Sequence, residues 1–200
     1  MLLCRPSCLS ELTQIDWAAA CQNDQKTGGV SRIVFIVCDP SYQHPNPGGW
    51  TNLENIEAAI CDNKFYFTGE ILGQKPKGSF TKKRITSCSP EKTISGTKTV
   101  TFQDYNSIGE TLEEYTFWDN ILNNTDFLYL GFVTCDDRFY MVSGHFDVEL
   151  DEVIEDTKEG TSYFDGTVTF QEKDLLIPDY VEGLNALLAS YSLTNCYGSI

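Results

Sequence analysis

Two histidines and eight cysteines are the chain's soft ligands and nucleophiles, and their spacing allows little chemistry. His44 and His145 stand far apart, no CxxC pair occurs, and Cys4 and Cys8 are the closest cysteines with no second pair to answer them. Structural zinc needs four ligands at short paired spacings, so no metal site is expected. Asp147, Glu149 and Asp151 alternate like the first carboxylates of a calcium loop. Glu152 stands where that loop needs Gly and Lys158 where it needs its last Glu, so the run reads as a solvated strand face. Cys135 and His145 make a thiolate–imidazole dyad on paper, but Cys135 ends an apolar strand, where a buried, inert thiol is expected. GxSxG, GxxxxGK[ST] and GxGxxG are all absent. The many carboxylates include no pair marked by its surroundings as desolvated, as general acid–base catalysis requires. The sequence therefore assigns no catalytic, cofactor-binding or metal-ligating residue, and the chain is read as a non-enzyme. Asn123-Asn124-Thr125 is a glycosylation sequon that reads as a helix C-terminus.

What remains is charge. The 200 residues carry a formal charge of -15. Residues 1–100 hold 11 Lys+Arg against 9 Asp+Glu, while residues 101–200 hold 3 against 20. Lys75, Lys77, Lys82, Lys83, Arg84, Lys92 and Lys98 cluster with Glu91 as the one opposing charge. Asp147, Glu149, Asp151, Glu152, Glu155, Asp156 and Glu159 cluster with Lys158 alone opposing them. The plain reading of SFTKKR at 79–84 is the exposed face of a hairpin. The sharper one is an interface in which Lys82, Lys83 and Arg84 meet Asp147, Glu149 and Asp151 of another copy. Unlike patches at different places on one subunit favour head-to-tail contact, which closes into rings or stacks into filaments.

The acidic balance excludes a phosphate clamp for nucleic acid and a basic membrane-surface helix. No run approaches the ~18 apolar residues of a spanning helix. With 41% hydrophobic and 22% charged residues the chain is an ordinary globular domain, large enough to bury a core without staples. The opening MLLCRPSC has no charged leader and no long apolar stretch before Cys4, so neither a lipoprotein signal nor a cleaved secretory signal is expected. On that ground the cysteines are read as buried free thiols in preference to four disulfides.

The elements that must position these residues are mostly strands. Residues 1–29 read as an N-terminal arm or short helix ended by Gly28-Gly29. Residues 30–38 (VSRIVFIVC) form a strand, 39–50 a Pro- and Gly-rich loop, and Thr51 with Glu54 a capping box before a short helix. Strands are expected at 64–72, 79–88 and 97–104. A second capping box, Thr111 with Glu114, opens an inserted helix within 111–123, with Leu112, Tyr115, Trp118 and Leu122 on one face and Phe117 and Ile121 broadening it. Strands resume at 127–134, 138–143, 145–153 and 162–171, with Asp136-Asp137 as a tight turn. Asp179 with Glu182 caps a C-terminal helix within 179–200, its inner face carrying Val181, Leu184, Leu188 and Tyr191. Because strands and helices do not alternate, the expected fold is mainly β: a sandwich or barrel of antiparallel strands over 30–178, with a helix packed on its side.

The order GGVSRIVFIV, then ENIEAAI, KFYFTGEI, extended strands, one inserted helix and the late run FLYLGFVTCDDRFYMVSGHFDVELDEVIEDTKEGTSYFDGTVTFQEKDLLIPDYV resembles tail structural proteins of tailed bacteriophages. Tail-tube-like subunits are meant in particular, including those of crAss-like phages. The resemblance spans about residues 28–182. It implies a tail-tube-like sandwich flanked by a helix, six-fold rings of copies, contacts with other tail or neck proteins, and a lumen through which DNA passes without specific binding. It also implies a location in the virion tail after synthesis in the host cytoplasm, with no membrane partner, no cofactor and no catalytic residue. The eight cysteines depart from the pattern and leave tube, neck or ring, hub and baseplate roles open. The alternative is a secreted or surface β-sandwich that binds glycan or protein, with Tyr42 and Trp50 of the Pro-rich loop as contact residues and disulfides as its mark.

Overall fold

The computed structural model describes residues 29–39, 49–74, 76–84, 92–106, 112–142, 144–154, 162–172 and 176–191. Among these described residues ten strands and three helices follow in the order β1 (Val30–Val37), α1 (Leu53–Cys61), β2 (Phe65–Phe67), β3 (Leu72–Gly73), β4 (Lys77–Lys83), β5 (Lys92–Asp104), α2 (Leu112–Leu122), β6 (Leu128–Thr134), β7 (Arg138–Met141), β8 (Phe146–Val153), β9 (Tyr163–Gln171), β10 (Asp179–Tyr180) and α3 (Leu184–Ser190). Every pairing is antiparallel, and the sheet runs β10-β7-β6-β1-β3-β5-β9-β8, with β2 added to β1 and β4 to β5.

Ring contacts between strands distant in that order demonstrate that the sheet folds over on itself. Phe35 of β1 lies 6.0 Å from Phe146 of β8, and Phe132 of β6 lies 6.4 Å from Phe170 of β9. Two layers result, β10-β7-β6-β1-β2 and β4-β5-β9-β8, with the two-residue β3 at the corner between them. The mainly β expectation is met, as two packed sheets.

The register decides which side chains enter which space. Ile33 faces Phe132 and shares the inner face of β1 with Phe35, while Val34 and Ile36 pair with Phe67 and Phe65 on the other face. That second face is an apolar layer of its own. Trp50, Phe65 and Phe139 pack ring to ring there, and Tyr191 sits edge-on to Phe67 at 6.0 Å. Helix α1 supplies Ile56, Ala59 and Ile60 as buried residues, and Leu184 and Leu188 of α3 are equally buried. β1 is therefore buried on both faces, which is why it reads as an unbroken apolar run.

Several local expectations are corrected. The N-cap of α1 is Asn52, whose side chain accepts from Glu54 N–H at 2.9 Å, and Thr51 belongs to the preceding 3₁₀ turn. Asp179 lies in β10 and caps nothing; α3 starts at Leu184 after Gly183, a left-handed position with φ +82°. The segment 64–72 is two strands with a break at 68–71. On α2, Phe117, Trp118 and Ile121 of the expected stripe are buried, while Leu122 is 39% exposed and falls outside the inner face. Trp118 fills the seam between the layers, stacked on Phe102 at 5.3 Å and edge-on to Phe35 at 5.9 Å. Trp50 is buried and offers no contact surface. Residues 1–28, Tyr42, His44, Thr111, Cys88 and 192–200 lie outside the described residues.

Candidate functional site

β4, β5, β9 and β8 form a four-stranded antiparallel sheet whose inner face closes the core. Along β5 and β9 the even-numbered residues from Gly96 to Asp104 and from Phe164 to Phe170 point inward and are buried. The odd-numbered ones point outward. Cross-strand pairing extends this outer face as rows: Lys77–Thr99–Thr169–Asp147, Thr101–Thr167–Glu149 and Gln103–Asp165–Asp151. Helices α1 and α3 cover the far side of the other layer and α2 fills the seam. Among the described residues, this threonine-lined face is the sheet face that no helix covers.

Its two borders carry opposite charge. β4 pairs only with β5 and β8 only with β9, so both are edge strands among the described residues. Every residue of β4 is exposed, and its register with β5 shifts between Thr81 and Lys82. Lys82 and Lys83 end that strand and Arg84 follows it, all exposed. On β8, Phe146 is buried and Val148 and Leu150 are half-buried against the core, while Asp147, Glu149 and Asp151 are exposed. Lys82, Lys83, Arg84, Glu149 and Asp151 form no ion pair among the described residues. Asp147 lies 3.6 Å from His145 Nε2. Of the six residues that the sequence singles out, Asp147, Glu149 and Asp151 stand on the β8 border, whereas Lys82, Lys83 and Arg84 stand where the β4–β5 hairpin runs past β9, Lys82 and Lys83 pairing with Thr93 and Lys92, and the chain does not bring the groups together. The rows add Asp165, which charge clustering left out, and set Lys77 of the basic cluster in one row with Asp147.

The structure also places a charged side chain inside the protein. Arg32 is 1% exposed, and its Nη1 donates to Thr68 O at 2.9 Å across the break between β2 and β3. Its Nε, buried, has no acceptor. Burial pulls the guanidinium down to about 10, against the opposing pull of Glu70 and Asp104. Arg32 lines a cavity of about 300 Å³ together with Ser31, Glu70, Cys135, Asp137 and Asn185. A bulge between Val30 and Arg32 brings both Ser31 and Arg32 to this cavity, which strict alternation forbids.

The cysteine expectations are corrected. Cys38 and Cys61 are each held in a disulfide, and Cys135 is exposed and keeps its thiol. Cys135 follows β6 on the turn into β7. His145 is not among the residues lining its cavity and turns to Asp147 instead. Asn123 and Asn124 close α2, their side-chain amides donating to Asp119 O and Asn120 O at 2.8 and 2.7 Å. Among the described residues, no three His, Cys, Asp or Glu side chains gather as a metal site, and no helix is long and apolar enough to cross a membrane.

No protein-family model matches the chain, and no curated protein is similar to it in sequence.

Proposed function

We propose that the protein is a non-enzymatic structural subunit of a bacteriophage virion tail that assembles head to tail, the β4 edge of one copy joining the β8 edge of the next. The observation that carries this reading is the sheet β4-β5-β9-β8, whose outer strands are unpaired on one side among the described residues, β4 with Lys77, Lys82 and Lys83 and β8 with Asp147, Glu149 and Asp151. The chain directions suit it: β4 and β8 stand three antiparallel pairings apart and run oppositely, so copies related by rotation meet as one more antiparallel pair. The two strands match in length, at seven and eight residues. Charged edge strands reject their own kind, so β4–β4 and β8–β8 contacts are disfavoured while β4–β8 contacts are favoured.

In a closed ring the uncovered Thr/Asp/Glu face becomes one continuous belt. If it lines the bore, DNA passes a surface with hydroxyls and carboxylates and few cations to hold phosphate. The test is electron microscopy and sedimentation of the purified chain across a salt series. Rings or stacked rings at low salt that dissociate as salt rises are expected. A strict monomer at high concentration in low salt overturns the reading.

The disulfides at Cys38 and Cys61 favour a second reading, a secreted or surface β-sandwich that binds glycan or protein. Virions also work outside the cell, so oxidised cysteines suit both. The burial of Trp50 removes one of the two aromatic contacts that the binding-module reading relied on.

A further inference from the structure

The geometry points to the cavity beside Arg32 as a binding site for a small zwitterion of the α-amino-acid class, its carboxylate on the Arg32 guanidinium and its ammonium on Glu70. The cavity holds a cation and a carboxylate that do not touch. Arg32 and Glu70 line the same space of about 300 Å³, yet make no ion pair with each other. Nε of Arg32 has no acceptor, and Glu70 is in no ion pair among the described residues. A buried donor without an acceptor carries a desolvation cost that a bound acceptor removes.

The other polar groups are already committed. Asp137 accepts from Gly183 N–H at 3.1 Å and from the backbone and side-chain N–H groups of Asn185 at 2.8 Å. Ser31 donates to Asn185 Oδ1 at 2.8 Å, and the Asn185 amide reaches Thr134 O. That closed network docks α3 on the sheet and takes in neither the Arg32 guanidinium, whose Nη1 is bound to Thr68 O and whose Nε has no acceptor, nor the Glu70 carboxylate. The space is far larger than the ~10–15 Å³ that a single bridging water needs. A simple anion is opposed by Glu70, Asp137 and the chain's overall -15, whereas a zwitterion has no net charge to be repelled. Ala186 and Ala189 leave one wall small and apolar, suited to a short side chain.

Cys135 lines the same cavity, is exposed, and so reports occupancy. The test measures the rate at which iodoacetamide alkylates Cys135, read on its peptide by mass spectrometry. Three additives of one skeleton are compared: alanine, propionate without the ammonium, and ethylamine without the carboxylate. Alanine is expected to slow alkylation several-fold and saturably, with little effect from propionate or ethylamine. Glu70→Gln, at a half-buried position, should keep the fold and abolish alanine's protection; Arg32→Gln should do the same, with folding checked by circular dichroism. Absence of protection by alanine overturns the proposal. So does equal protection by propionate, or protection that survives Glu70→Gln.

Discussion

Trp118 donates its indole N–H to Asp104 Oδ2 at 2.8 Å, and both residues are buried, 1% and 0% exposed. This bond ties α2 to β5 at the seam between the layers. Asp104 also accepts from Asn106 N–H at 2.9 Å, turning the chain at the end of β5. Trp118→Phe keeps most of the packing but removes one donor to a buried carboxylate. It should cost about 1–3 kcal/mol in urea unfolding. Asp104→Asn, which still offers an acceptor, should cost less than Asp104→Ala.

A second constraint sits directly across from it. Gly166 of β9 pairs with Phe102 of β5, and a Cβ at that position would overlap the Phe102 ring. Phe102 is stacked on Trp118 and cannot withdraw without opening the seam. Gly166→Ala should therefore destabilise by about 1–3 kcal/mol, the range for overpacking a filled core. Gly166→Ala combined with Phe102→Leu should recover part of that loss, read in the same unfolding assay.

Alkaline titration separates two buried groups of opposite sign. Burial pushes the Tyr66 phenol up to about 12, and it donates to Asn63 O at 2.8 Å. In the unfolded chain a phenol titrates at about 10. The stability this contributes is complete below pH ~10 and is lost as pH rises toward 12. Arg32, pulled down to about 10, works the other way and regains stability across the same interval. Tyr66→Phe should flatten the alkaline fall in stability and Arg32→Met should steepen it, as measured by urea midpoints across that pH range.

The parts of the fold legible in sequence were those with a simple period. Phe146, Val148 and Leu150 alternate with Asp147, Glu149 and Asp151, and the strand forms with those faces in and out. The parts that misled depend on distant residues. Asp179 and Glu182 mimic a capping box, but Asp137, more than forty residues earlier, binds the N–H groups of Gly183 and Asn185. Leu122 fits the helical stripe that Phe117, Trp118 and Ile121 share, yet it is exposed at the last residue of α2 while those three are buried. Arg32 looks like one polar residue in an apolar strand; only the bulge at Ser31 and the break at 68–71 make it a cavity wall. Whether a cysteine is oxidised depends on spatial neighbours, which sequence spacing does not disclose.

The oxidised cysteines make a direct prediction. Iodoacetamide added in denaturant without reductant should label Cys135 and leave Cys38 and Cys61 unlabelled, and all three should react once reductant is added. Reduction should lower the unfolding free energy by about 2–5 kcal/mol, the usual loss for a native disulfide. Labelling of Cys38 and Cys61 without reductant would return them to the free-thiol state that the sequence led us to expect.

The strongest demand on the assembly reading is that its two edges be interchangeable in sign. Lys82→Glu, Lys83→Glu and Arg84→Glu together place carboxylates beside the acidic edge of the neighbouring copy. All three side chains are exposed and form no ion pair among the described residues, so the fold and its melting temperature should hardly change. Self-association, followed by sedimentation velocity at low salt, should be lost. Adding Asp147→Lys, Glu149→Lys and Asp151→Lys to the same chain restores opposite signs at the seam and should restore association. The acidic triple alone should fail as the basic triple does. Charge lost from one edge and recovered at the other distinguishes a specific β4–β8 contact from a general effect of net charge, because the double set returns the chain to its original -15. Association that survives either triple, or that the combined set does not recover, removes these two edges from the interface.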